Sequence, residues 1–130
     1  MFNWKRSQTV DGPVVLDEAY LERLARHLGE ENLRELLADG MVELCDRIDR
    51  IEDSLNSGDA DALARLCHDL AGMSGHLGLS ELSRNAVSCE RALREPDSDI
   101  RGLGVMEPIL TSSPAAIQAM RYFLDGASAD

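Results

Sequence analysis

Residues 67–78 read Cys67-His68-Asp69-Leu70-Ala71-Gly72-Met73-Ser74-Gly75-His76-Leu77-Gly78. On a helix, at about 100° per residue, this run has two unlike faces. Leu63, Leu66, Cys67, Leu70, Met73, Ser74 and Leu77 share one side and form a core stripe. His68 points away from them, among Asp61, Ala64, Arg65, Ala71, Gly72, Gly75 and His76. A helix that buries its leucines must therefore present His68 to water, in a clearing of small side chains. Glycine inside a helix costs roughly 1 kcal/mol against alanine. Gly72 and Gly75 together remove about 2 kcal/mol from a domain total of roughly 5–15. A water-facing surface needs no such smallness, so something must approach the backbone here. A second helix of the same chain is one explanation. A partner that reaches the imidazole also explains where His68 stands.

The rest of the chain has the same helical vocabulary. Apolar residues make up 44% and aromatics only 4%, which favours packed helices over sheets. With 130 residues, one domain is expected. Residues 1–13 show no period, and Trp4 is expected to pack onto the domain. Asp17 is an N-cap for a first helix, with Leu16 and Leu21 at staple spacing and Gly29 as its stop. His27 reads as a surface residue of the last turn. A second helix runs from about Glu30 to Leu55, with Leu33, Leu37, Met41, Leu44, Ile48, Ile51 and Leu55 as its stripe. Gly40 beside that stripe marks a close crossing or a bend.

Asn56-Ser57-Gly58-Asp59 stops one helix and caps the next, which makes the two antiparallel neighbours. The third helix spans about Ala60 to Leu77, and Gly78 ends it. Ser80 is the expected N-cap of a fourth, striped by Leu82, Ala86, Cys89 and Leu93 and closed by Glu95-Pro96. After a polar loop, Ser113-Pro114 reads as a cap and first turn. That predicts a short helix near 105–112 and a main one from 114 to about 125, or one helix kinked at Pro114. The expected architecture is all-α: an antiparallel four-helix bundle over residues 14–125 with additional N- and C-terminal helical segments. Residues 1–13 form an extension and 126–130 a flexible tail.

A formal charge of −11 repels nucleic acid and disfavours an anionic membrane surface. No run reaches the roughly 18 apolar residues of a membrane span, and residues 1–8 lack a signal-peptide core, so a cytoplasmic location is expected. Cys45, Cys67 and Cys89 lack CxxC spacing and read as reduced core residues. No metal site is expected. His68 and His76 stand some 12 Å apart along the axis, too far for joint ligation. No phosphate-cradling glycine loop, kinase motif or nucleophile elbow is present. His68 is the one candidate for covalent chemistry, because neutral imidazole is a nucleophile near neutral pH. Arg65 and His76 flank it and either meet anionic groups of a partner or are plain solvated surface.

The run His68-Asp-Leu-Ala-Gly-Met-Ser-Gly-His-Leu-Gly78 resembles the signature of the histidine-containing phosphotransfer (HPt) domain: His, any, Leu, often Lys, Gly, any, a small residue, two variable positions, an apolar residue, Gly. Leu55-Asn-Ser-Gly58-Asp59 before it, Leu63, and Leu82 with Cys89-Glu90 after it extend the resemblance over residues 14–95. It departs at Ala71, where the frequent lysine is missing. The resemblance implies a four-helix bundle without ATP-binding apparatus: a phosphocarrier, not an enzyme. His68 would carry a phosphoryl group between receiver-domain aspartates in a two-component phosphorelay. Ala64, Arg65, Ala71, Gly72, Gly75 and His76 would line the docking face for a receiver or hybrid kinase. The chain would act as a monomer with no cofactor of its own, and Mg²⁺ would sit on the receiver. A non-transferring receiver- or kinase-binding module using the same face is the alternative. A bundle that dimerises through its glycine face is a third reading.

Overall fold

The computed structural model describes residues 14–95 and 104–129, of which 127–129 are described by backbone alone. The described residues contain five helices and no strand. The first, α1 (Glu18–Leu28), starts where the sequence places its cap. Asp17 Oδ1 accepts a hydrogen bond of 3.0 Å from the Tyr20 amide, and Gly29 ends the helix at φ +87°. The second, α2 (Glu30–Ser54), follows directly and buries Leu33, Leu37, Met41, Leu44, Ile48 and Ile51. Gly58 at φ +76° then turns the chain, and Asp59 caps α3 (Ala60–His76) by accepting from the Ala62 amide at 3.0 Å. Gly78 at φ +78° makes the next reversal into α4 (Ser80–Arg94). The last helix is α5 (Glu107–Ala129).

Helices α2 to α5 close a ring around one core. α3 lies between α2 and α4, and α5 returns to fill the side between α4 and α2. Leu37, Leu44, Leu63, Leu70, Leu82, Ile109 and Met120 are fully buried in it. Each such side chain contributes about 1.5–3 kcal/mol relative to exposure. The α3–α4 contact is the most extensive. Small residues permit it: Ala64, Ala71 and Ser74 of α3 are buried, as is Ala86 of α4. Ser83 Oγ donates to the Ala71 carbonyl at 2.8 Å, which ties the two backbones together. Gly40 serves a close crossing, since an added Cβ would come 2.5 Å from Leu77 Cδ2.

α1 packs on α2 and secures the α3–α4 turn. The Asp17 amide donates to the Gly78 carbonyl, the Glu81 amide to the Val14 carbonyl (both 2.8 Å), and Tyr20 Oη to the His76 carbonyl at 3.0 Å. The second of these bonds corrects a sequence expectation. Ser80 is the first residue of α4 rather than its cap; Leu79 holds the N-cap position without a side-chain bond. One orphan amide of that terminus is satisfied by the chain ahead of α1 instead.

Of the two C-terminal readings, the continuous helix is the one the structure bears out. α5 is one helix through Pro114, not two elements starting anew at Ser113. A proline inside a helix costs about 3 kcal/mol. Burial on both sides, by Met106 and Ile109 before it and Ala116 and Met120 after it, outweighs that cost. Ser112 Oγ donates to the Pro108 carbonyl and accepts from Asn85 Nδ2 at 3.0 Å, tying this region to α4. α5 is helical through residues 126–129, where the sequence places a tail. Residues 1–13 with Trp4, the 96–103 loop and Asp130 lie outside the described residues. No described helix is long and apolar enough to cross a membrane.

Candidate functional site

His68 occupies the middle of α3, and its side chain is 71% exposed. Cys67 and Leu70, immediately around it in sequence, are wholly buried and anchor the turn from which it projects. Its ring is nonetheless held. Nδ1 lies 3.2 Å from Oε1 of Glu90 on α4. The other carboxylate oxygen, Oε2, accepts from Arg94 Nε at 3.0 Å, one helical turn further along α4. Partial burial opposes charge on Glu90, whose side chain is 18% exposed, but the hydrogen bonds and positive charges of Arg94 and His68 prevail. They hold its carboxyl below the usual range. An ionised carboxylate can only accept, so Nδ1 carries the hydrogen of this contact. In the neutral ring the lone pair is then on Nε2, which has no partner among the described residues.

The sequence-derived docking residues divide into two groups. Arg65, Gly72, Gly75 and His76 are exposed, as expected. Nothing lies within 4 Å of a Cβ added at Gly72. Gly72 also lines an open groove between α2 and α3, with Leu36, Gly40, Arg47, Met73 and His76. Ala64 and Ala71 are not on the open face: they are 0% and 9% exposed. α3 is flanked on two sides, so its buried arc extends past the leucine stripe to these alanines. Gly75 has a partly internal reason for its size, since an added Cβ would lie 3.4 Å from Ser83 Oγ. The clearing around His68 is thus open toward α2 at Gly72 and walled by α4 on the other side.

Glu90 and Arg94 were not picked out by sequence reasoning as site residues. Their mutual i, i+4 spacing was visible, but on an acidic chain it reads as ordinary surface pairing. Only the tight reversal at Gly78 lays α4 antiparallel to α3 and brings Glu90 opposite His68.

Cys67 and Cys89 precede His68 and Glu90 and are buried, while Cys45 is half-buried; all three are free thiols. Burial, with smaller contributions from Cys89 and Glu90, pushes the Cys67 thiol up to about 12. It is a packing residue, not a nucleophile. Among the described residues, no group of three His, Cys, Asp or Glu side chains is placed to hold a metal ion.

The Hpt domain family profile matches residues 35–121, about two thirds of the chain. The chain belongs to the Hpt domain family. As an Hpt domain it is a phosphotransfer module of two-component signalling, from a family of phosphocarriers that work with receiver domains and histidine kinases. The matched span runs from α2 into α5 and contains both His68 and Glu90. No curated protein and no solved structure matches the chain.

Proposed function

We propose that His68 of this Hpt domain is a relay station, taking a phosphoryl group from the aspartyl phosphate of one receiver domain and passing it to the aspartate of another. The observation that carries this reading is the exposed ring clamped at Nδ1 by Glu90, with Nε2 directed to solvent. In the forward step the Nε2 lone pair attacks phosphorus. The N–P bond forms as the acyl-phosphate O–P bond breaks, and the aspartate carboxylate leaves. The Nδ1 hydrogen stays in its contact with Glu90 throughout. That keeps the phosphorylated ring cationic and a good leaving group, so the same geometry serves the return step. Positioning and charge dominate such transfers. This chain supplies the nucleophile and its orientation. The receiver supplies the acceptor carboxylate and the Mg²⁺ that neutralises phosphoryl charge.

The open side at Gly72 favours approach of the receiver over the α2–α3 groove, where Arg65, Gly75 and His76 flank the path. The test is incubation with a radiolabelled, phosphorylated receiver, followed by acid and base treatment of the product. The expected label is acid-labile and base-stable, present on the native chain and absent from His68→Gln at an unchanged circular-dichroism spectrum. Undiminished label on His68→Gln would reject His68 as acceptor. Tight receiver binding without label would replace the relay by a non-transferring module.

A further inference from the structure

The Glu90 carboxylate helps and hinders at once. It orients the ring, but its negative charge also faces the dianionic group that must join Nε2. Left alone it would repel the incoming phosphoryl group. We propose that Arg94 is a positioning residue that offsets the charge of Glu90, so that the clamped imidazole of His68 can accept and hold a phosphoryl group. This inference rests on His68 being the phosphoacceptor.

The geometry is specific. One carboxylate oxygen meets His68 Nδ1 at 3.2 Å and the other meets Arg94 Nε at 3.0 Å. Through that shared group the two nitrogens are no more than roughly 8 Å apart, within one screening length at physiological salt. The other charges nearby do not fill the role. On α2, Arg47 and Arg50 both pair with Asp46, at 3.3 and 3.0 Å. On α3, Asp69 adds negative charge beside His68, and Arg65 precedes it by one turn without touching Glu90 in any described contact. Position 71 on α3 is a buried alanine and supplies no charge. Among the described residues, Arg94 is the cation that joins the carboxylate holding the ring.

The experiment uses potassium phosphoramidate, a small donor that needs no docking surface. Nε2 attacks its phosphorus, the P–NH₂ bond breaks, and ammonia leaves with a proton from solvent. The initial rate of His68 labelling is measured for the native chain, Arg94→Met, Arg94→Lys, Glu90→Gln and the Glu90→Gln/Arg94→Met double variant, with melting temperature followed in parallel. Arg94→Met is expected to label about three- to tenfold more slowly at low salt, a deficit that shrinks by about half or more at 0.5 M salt. Arg94→Lys is expected to recover most of the rate. In the Glu90→Gln background, the Arg94→Met change is expected to have no further effect, because no carboxylate charge is left to offset. That comparison stays decisive even if Arg94→Met lowers the melting temperature.

Native labelling by Arg94→Met, an equal deficit in Arg94→Lys, or the same deficit with and without Glu90 would overturn the proposal. A greater loss in Arg65→Met would move the role to Arg65. Failure of the native chain to label at His68 would instead remove the phosphoacceptor reading, and this inference with it.

Discussion

Replacing Gly72 by alanine is expected to make the protein more stable. The residue sits in the interior of α3 with a helical φ, and nothing in the fold lies within 4 Å of an added Cβ. The substitution restricts the unfolded chain and meets no obstacle in the folded one, for a gain of about 1 kcal/mol. At about 2.1 cal/mol/K of unfolding entropy per residue over 130 residues, that is a rise in melting temperature of about 3–4 °C. Differential scanning calorimetry measures it directly. Gly72→Gln keeps a good helix former but extends a side chain over the groove beside His68. Its melting temperature should not fall, and its labelling by phosphoramidate should match the native rate. Labelling by a phosphorylated receiver should drop about tenfold or more, equivalent to some 1.4 kcal/mol of lost docking or transition-state contact. A lower melting temperature for Gly72→Ala would refute the reasoning, since the glycine would then serve the fold. Native receiver-dependent rates in Gly72→Gln would place the docking path elsewhere.

Ser74→Ala should also stabilise, by about 1 kcal/mol, because the Ser74 hydroxyl is buried with no hydrogen-bond partner; an unchanged or lower urea midpoint would count against it. The Glu90 carboxyl lies below its ordinary value of 4.5, so the folded chain binds fewer protons there than the unfolded one. Its contribution to stability is complete above that value and is lost as pH falls through the depressed one. The stability gap between the native chain and Glu90→Gln should therefore be present near neutral pH and close as the solution is acidified. A gap that is constant in urea titrations across this window would contradict the pairing. Thiol reagents should modify Cys45 first and reach Cys67 and Cys89 only on unfolding, as mass spectrometry would report; prompt native-state reaction at Cys67 would contradict its burial and raised pKa.

Local chemistry accounts for most of what the sequence made legible. Asp17 and Asp59 cap the helices they precede, and Gly29, Gly58 and Gly78 take the positive φ that turns the chain between helices, because each of these effects acts within a few residues. The leucine stripe placed His68 on the outside for the same reason: helical periodicity relates nearby residues. Beyond that range the reading was incomplete. The periodicity of α3 shows one buried stripe, whereas two neighbours cover Ala64 and Ala71 as well. Ser80 looked like a cap, yet the Val14 carbonyl from ahead of α1 holds the Glu81 amide. Ser113-Pro114 left a fresh helix start and one continuous helix both open, and core burial on either side decides for the continuous α5.

By itself, the sequence determined the helical class, most helix boundaries and the outward-facing imidazole in its glycine setting, since all of these follow from interactions between residues close along the chain. Only the tertiary structure decided that Glu90 grips Nδ1, that Arg94 shares the carboxylate, and that the open flank of His68 lies toward α2 at Gly72. Those facts depend on how α3 is sandwiched and how α4 is aligned against it, and that alignment comes from side chains far apart in sequence meeting in one core.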